Sequence, residues 1–302
     1  MRVVIAGATG FIGRALSEAL HKDYEVVALS RDARRAARLI GDVATVLEWD
    51  GRSTGSWVRQ AEGALAIINL AGENLATGRW TLSKKSGILQ SRVNSRRAVV
   101  DAVKQVEDKP RVLIHGSAVG YYGIRGDEEL DETSSSGKGF LADVCRKSEL
   151  LLDELEAIGV RWVVARSGVV LGQGGGALAN MIRPFRFHLG GYPGNGGQWL
   201  SWISLDDEVA ALRFLMENEH LQGAYNLTSP QPVTMKQCCK TLGAVLGRSA
   251  WLPVPAFALR LAYGEMADEM LLAGQRVLPG RLLEAGFEFR YADLKSALTG
   301  VL

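Results

Sequence analysis

The strongest constraint on this chain lies in its first turn. A short β-branched run, Val3-Val4-Ile5-Ala6, ends at Gly7, and glycines recur at Gly10 and Gly13 before the helical run Arg14 to His21. A strand feeding a helix through glycines at every third position is the layout of a phosphate-cradling turn. Glycines give the backbone its tight bend, let a pyrophosphate approach the main chain, and let the helix pack closely on the strand. Amides at the start of the helix lack intrahelical partners and so face the phosphates. In a chain with 35 glycines the spacing alone says little; its place between a strand and a helix, at the opening of the sequence, gives it weight. Gly7, Thr9, Gly10, Phe11, Ile12 and Gly13 are thus the first candidate cofactor contacts.

A second strand, Glu25 to Leu29, runs into Ser30-Arg31-Asp32-Ala33-Arg34-Arg35, where a dinucleotide fold selects its cofactor. An acidic residue here bonds the ribose 2′-hydroxyl of NAD, whereas a small polar residue followed by arginine accommodates the 2′-phosphate of NADP. Arg31 can grip phosphate through two donors, with Ser30 as a further donor and Arg34 or Arg35 adding field, which favours NADP (NADPH) although Asp32 stands beside them. Strands near Ala44 to Leu47 and Ala64 to Leu70 follow. The first places Trp49-Asp50 near the adenine, and the second ends in Leu70-Ala71-Gly72, small enough for the main chain to pass the cofactor ribose. A long helix, about Ser83 to Val106, carries Arg92 toward the phosphates or ribose.

Strand and helix keep alternating through Arg111 to Gly116, a helix Phe140 to Ile158, and a strand Val160 to Leu171. A helix over Ile203 to Asn218 and a strand at Ala224 to Leu227 come later. This pattern predicts an α/β fold, a Rossmann-type doubly wound parallel sheet with right-handed crossovers. Residues 1–172 form its NADP-binding domain, with 203–228 returning to it. Residues 173–202 and 229–302 form a smaller, mostly helical substrate-side lobe interleaved with the first. Met181, Phe185, Tyr192 and Trp199 are candidates to line a partly apolar pocket there.

Lys plus Arg number 35 against 33 Asp plus Glu, so net charge offers no reason to expect a nucleic-acid or membrane partner. Three cysteines, Cys145, Cys238 and Cys239, lack metal-ligand spacing and suit a reducing cytoplasm, and no metal is expected. The opening apolar run is broken by glycines, unlike a signal peptide, and no run reaches transmembrane length.

These blocks together resemble the extended and atypical short-chain dehydrogenase/reductase superfamily. More narrowly the chain is similar to the NAD(P)-binding epimerase family, whose members are often named nucleoside-diphosphate-sugar epimerase or cell-division inhibitor. The resemblance runs through Gly7 to Gly13, Ser30-Arg31, Asn69 to Asn74, Arg79-Trp80, Ser91-Arg92 and Gly120-Tyr121-Tyr122-Gly123. It continues through Arg166 to Gly172, Pro184 to Arg186, Trp202-Ile203, Gly274 to Arg276, Leu278-Pro279 and Glu284 to Phe287. It implies cofactor contacts at the glycine turn, Ser30, Arg31, Leu70, Ala71, Arg92 and, near the nicotinamide, Val170. Ser204 departs from it, since the family usually shows histidine after the Trp-Ile pair.

The larger departure is chemical. Reductases of the superfamily use a Tyr-x-x-x-Lys pair on the helix after the fifth strand, where lysine and cofactor lower the tyrosine pKa from about 10. Aligned on Glu149, those slots hold Leu141 and Cys145. Tyr291 to Lys295 has the spacing but lies well past that helix. Ser117, Tyr121 and Tyr122 are the remaining candidates near the nicotinamide, Ser117 to polarise a carbonyl and a tyrosine to exchange the proton; both tyrosines could equally be packing residues. Two functions fit: an NADP-dependent oxidoreductase or epimerase acting on a carbonyl or sugar-like small molecule, or a catalytically silent NADPH-binding module read by a partner. A role in cell division has no support in charge or motif.

Overall fold

In the computed structural model, which describes residues 1–302 apart from Asp153, the expected alternation closes into one seven-stranded sheet. Its strands are β1 (Arg2–Ala6), β2 (Glu25–Ser30), β3 (Thr45–Glu48), β4 (Ala66–Asn69), β5 (Val112–Ala118), β6 (Arg161–Ser167) and β7 (Gly223–Leu227). They lie in the order β7-β6-β5-β4-β1-β2-β3, and every neighbouring pair is parallel. Chain order reverses between β1 and β4, and a crevice opens there at the carboxyl ends of the strands.

Alternate strand residues face opposite layers. Val3 and Ile5 enter a core with Leu16 and Leu20 of α1 (Phe11–Leu20) and Ala36 and Ile40 of α2 (Ala33–Ile40). Val4 and Ala6 enter the opposite core with Val99 and Val103 of α3 (Leu82–Gln105). Burial on both faces is why these strands read as unbroken apolar runs.

Three expected elements differ from the structure. The strand read over Val160 to Leu171 is split by Gly168, where a Cβ would lie 2.5 Å from the Ser201 carbonyl oxygen. Beyond it Val169–Leu171 leaves the main sheet and pairs with Trp202–Ser204, so the helix expected from Ile203 begins only at Leu205. The helix read over Phe140 to Ile158, α4 (Phe140–Glu149), stops early and is followed by a 3-10 turn, Leu150–Leu152.

A third core gathers α5 (Gly176–Arg186), the far side of Trp202–Ser204 that precedes α6 (Leu205–Glu217), α7 (Met235–Val245) and the final helix Leu294–Val301. Between α7 and that helix, α8 (Ala256–Tyr263) buries none of its residues. Residues 280–287 lie against the main sheet: Leu282 and Phe287 enter the first core, and Arg281 donates to the carbonyls of Ala224 (2.8 Å) and Gln222 (2.7 Å) at β7.

Candidate functional site

The crevice beside β1 is a groove of about 860 Å³, and the first turn forms its floor. Gly7 has φ +83°, and a Cβ there would lie 2.8 Å from the Leu70 carbonyl carbon, so only glycine fits both the bend and the passing β4 backbone. At Gly13 a Cβ would lie 2.3 Å from the Gly7 oxygen, which fixes α1 close against the turn. Gly10 caps α1 without a side-chain bond, and no acid sits in the helix's first turn. Its orphan amides are open to an anion. The Phe11 ring meanwhile seats against Gly172, Gly175 and Gly176, each of which would clash with it if given a Cβ.

At the other end of the groove Ser30, Arg31 and Arg35 line the wall with Arg52, which the sequence reading missed. Asp32, the acid that argued for NAD, is the N-cap of α2: its Oδ1 accepts the Arg35 amide at 2.9 Å. One carboxylate oxygen is thereby engaged at the helix end, while Asp32 still lines the groove beside Arg31. Trp49 and Asp50 also line the groove, but Trp49 is a core residue, T-stacked on Trp57 with centroids 5.5 Å apart. Asp50 is tied to its own loop; the amides of Ser53 and Arg52 hold its carboxyl below the usual range.

Of the expected cofactor residues, Gly7, Thr9, Gly10, Ser30, Arg31, Arg35, Leu70, Ala71 and Gly72 line this groove together. Phe11, Ile12 and Gly13 lie behind it in α1, and Val170 is buried in the first core. Arg92 lies underneath: it donates to the carbonyls of Glu73 and Ile88, both at 3.2 Å, and props the loop at Gly72 from behind. Burial lowers its pKa. Glu73, Gln90, Ser91 and Ser95 complete the wall from the loop after β4 and from α3. Met181, Phe185, Tyr192 and Trp199 do not converge. The first three belong to the third core, while Trp199 donates to Asp127 at 2.7 Å with the Arg276 guanidinium 4.6 Å from its ring.

One strand further along, at the carboxyl ends of β5 and β6, side chains rather than backbone organise the site. Ser117 donates its hydroxyl to Glu149 Oε1 at 2.5 Å. Arg166 clamps the same carboxylate, Nη2 to Oε2 at 2.7 Å, with both side chains nearly buried at 7% and 11% exposure. Arg166 also donates to the Tyr122 hydroxyl (3.0 Å), which donates in turn to Asn226 Oδ1 (2.7 Å). Burial pulls the Arg166 pKa down, but its bond and charge pairing with Glu149 outweigh that and carry it above the ordinary value. Tyr122 is fully buried, and burial pushes its pKa up to about 12 against the lowering effect of Arg166. Tyr121 is half-buried, its ring centroid 3.5 Å from the Arg166 guanidinium.

The slots of the missing pair are filled by packing: Leu141 abuts Gly120, and Cys145 is buried with its Sγ 3.8 Å from the Ala118 carbonyl. Burial raises the Cys145 pKa. Ser204 lies away from the groove, capping α6 by accepting the Asp207 amide at 2.9 Å and donating to Asp207 Oδ2 at 2.7 Å. Beside it, Glu208 is fully buried with Oε2 unpartnered, and burial pushes its pKa up to about 8 despite a 2.6 Å bond from Ser167. Among the described residues no group of three or more His, Cys, Asp or Glu could hold a metal ion.

The chain is similar in sequence and fold to known proteins. Residues 3–228 match the NAD dependent epimerase/dehydratase family, and the chain belongs to it; residues 254–301 match a domain of unknown function, DUF1731. The chain is 40% identical over 305 residues to the epimerase family protein YfhF of Bacillus subtilis, covering 100% of this chain and 98% of that relative. It is 40% identical over 308 residues to a chloroplastic SDR39U1 homolog of Arabidopsis thaliana, covering 100% of this chain and 87% of that relative. Human SDR39U1 (isoform 2), crystallised with NADPH, superposes with a TM-score of 0.88 at 32% identity, covering 100% of this chain and 99% of that one. No helix among the described residues is long and apolar enough to cross a membrane.

Proposed function

We propose that this chain binds NADPH in the groove beside β1 and is an oxidoreductase or epimerase acting on a carbonyl or sugar-like small molecule. The observation that carries the reading is the pairing, in one groove, of the uncapped α1 terminus with Ser30, Arg31, Arg35 and Arg52. One end suits a pyrophosphate; the other suits a 2′-phosphate, where Ser30 and three arginines outweigh Asp32, one of whose oxygens caps α2. Gly7, Thr9 and Gly10 would cradle the pyrophosphate, and Leu70, Ala71 and Gly72 would flank the ribose. The 32%-identical human protein crystallised with NADPH supports the same choice.

When bound, the nicotinamide supplies or accepts hydride; the chain positions substrate and proton. Because the Ser117 hydrogen is committed to Glu149, its oxygen presents lone pairs and would accept a hydrogen bond from a substrate hydroxyl. Tyr122 is withdrawn from proton exchange by burial and by Arg166 and Asn226. Tyr121, its ring held against Arg166, is the remaining tyrosine to exchange a proton with the substrate oxygen. Leu141 and Cys145 in the Tyr and Lys slots favour a second reading, a silent NADPH-binding module.

Calorimetric titration tests the binding that both readings share, and turnover separates them. NADPH should bind more tightly than NADH, and Arg31→Ala should weaken NADPH about tenfold while leaving NADH unchanged. If neither nucleotide binds, the proposal fails. NADPH oxidation with some member of a carbonyl panel, lost in Tyr121→Phe, supports the enzyme; tight binding with no oxidation across the panel supports the silent module.

A further inference from the structure

Net charge conceals a segregation of charge. Between Glu156 and Asp206, and again between Glu219 and Glu265, the chain holds no Asp or Glu, while eight arginines and lysines fall in those two stretches; three of them, Arg161, Arg166 and Arg260, are held by partners elsewhere in the fold. The fold brings the two stretches together: α5 and α7 pack in the third core, and Leu252–Val254 pairs in parallel with Gly191–Pro193. The rest of the chain is correspondingly acidic.

At their junction Arg183, Arg186 and Arg248 ring a recess of about 680 Å³ floored by Leu178, Ile182 and Leu246. Among the described residues none of the three pairs with a carboxylate; the side-chain partner of the Arg248 guanidinium is His188 Nδ1 at 3.4 Å. His188 is the one non-glycine among the described residues with positive φ, at 60°. Its turn leaves Phe187 75% and Leu189 54% exposed, and Trp251, which donates to the His188 carbonyl, is 61% exposed. Phe187 and Leu189 flank His188 in sequence, and Trp251 and Arg248 both reach it, so the three apolar side chains adjoin the edge of the arginine recess.

We propose that this face docks on an anionic lipid surface, the arginines holding phosphate headgroups while Phe187, Leu189 and Trp251 enter the boundary between headgroups and acyl chains. An apolar patch alone would suit many partners. Arginines with no acid near them in sequence call for a densely anionic surface, and the aromatic and aliphatic tips between them call for one with an apolar layer beneath. Duplex nucleic acid satisfies the first demand and not the second. The docking is peripheral and independent of the cofactor reading.

The test is co-sedimentation of the full chain with phosphatidylcholine vesicles, with and without phosphatidylglycerol. Binding only to the anionic vesicles is expected, weakening as salt rises. Arg183→Ala, Arg186→Ala and Arg248→Ala combined should lower partitioning on the order of a hundredfold. Phe187→Ser with Trp251→Ser should also lower it, and unchanged circular dichroism and melting would show both variants folded. Failure to bind anionic vesicles overturns the proposal, as does equal binding to neutral ones. Two further results overturn it: a dimer at micromolar protein that Phe187→Ser, Trp251→Ser abolishes, making this a contact between copies, or retention by DNA without retention by vesicles.

Discussion

The two halves of the crevice are built from different materials. Beside β1 the site is backbone: glycines at 7, 10 and 13, an uncapped helix end, and a strand terminus passing within contact distance. Beside β5 and β6 it is side chain: Ser117, Glu149, Arg166, Tyr122 and Asn226 in one hydrogen-bonded chain drawn from four places in the sequence. A backbone site fails by steric exclusion at single positions. A side-chain network fails when one member leaves another buried without a partner.

The largest expected effect therefore lies in the network. Glu149→Ala strands the Arg166 cation at 7% exposure and should cost about 3–5 kcal/mol in urea unfolding. Glu149→Leu with Arg166→Met should recover most of it; a double variant as unstable as the single would show that shape, and not stranded charge, sets the cost. Next is Glu208, one residue along β6 through Ser167. A carboxyl with a pKa of about 8 in the fold keeps a proton that the unfolded chain has released, so its contribution is whole below the ordinary carboxylate pKa and lost as pH rises through 8. Glu208→Gln mimics the protonated form and should be the more stable protein at pH 8 by about 4 kcal/mol, with little difference at pH 4. An unchanged pH slope would mean that Glu208 is ionised in the fold.

On the backbone side, Gly7→Ala forces a side chain into positive φ and onto the Leu70 and Ala71 main chain. It should cost about 2 kcal/mol and weaken NADPH at least tenfold; normal NADPH affinity would show that the turn yields. Smallest is Tyr122→Phe, which removes one donor to Asn226 and one acceptor for Arg166, about 1 kcal/mol, with NADPH affinity unchanged. Lost turnover at unchanged stability would instead make the Tyr122 hydroxyl a proton-transfer group.

The same contrast explains what could be read from residues alone. The glycine turn, the Ser30-Arg31 position and the parallel sheet were legible because each is local: a strand end, a helix start, a period of alternation. The break at Gly168 was not, because it depends on the Ser201 backbone approaching from far along the chain. Nor was the role of Glu149, although a trace of it existed. Arg166 lies within an apolar strand run, and a buried arginine demands an acid; Glu149 ends the helix leading to that strand, where it served only as an alignment anchor. The cap made by Asp32 was not legible either, because a cap and a ribose ligand have the same letter.

Phe11 makes one last connection. The residue that opens the phosphate-turn helix is also the plug of a socket whose walls are Gly172, Gly175 and Gly176, at the entrance to α5. The acid-free stretch that follows cannot be exchanged for another as a free-standing cassette. Whoever grafts residues 173–202 onto a different nucleotide-binding scaffold must transplant an aromatic ring from the first turn of the chain with them, because the two distant stretches pack as one unit.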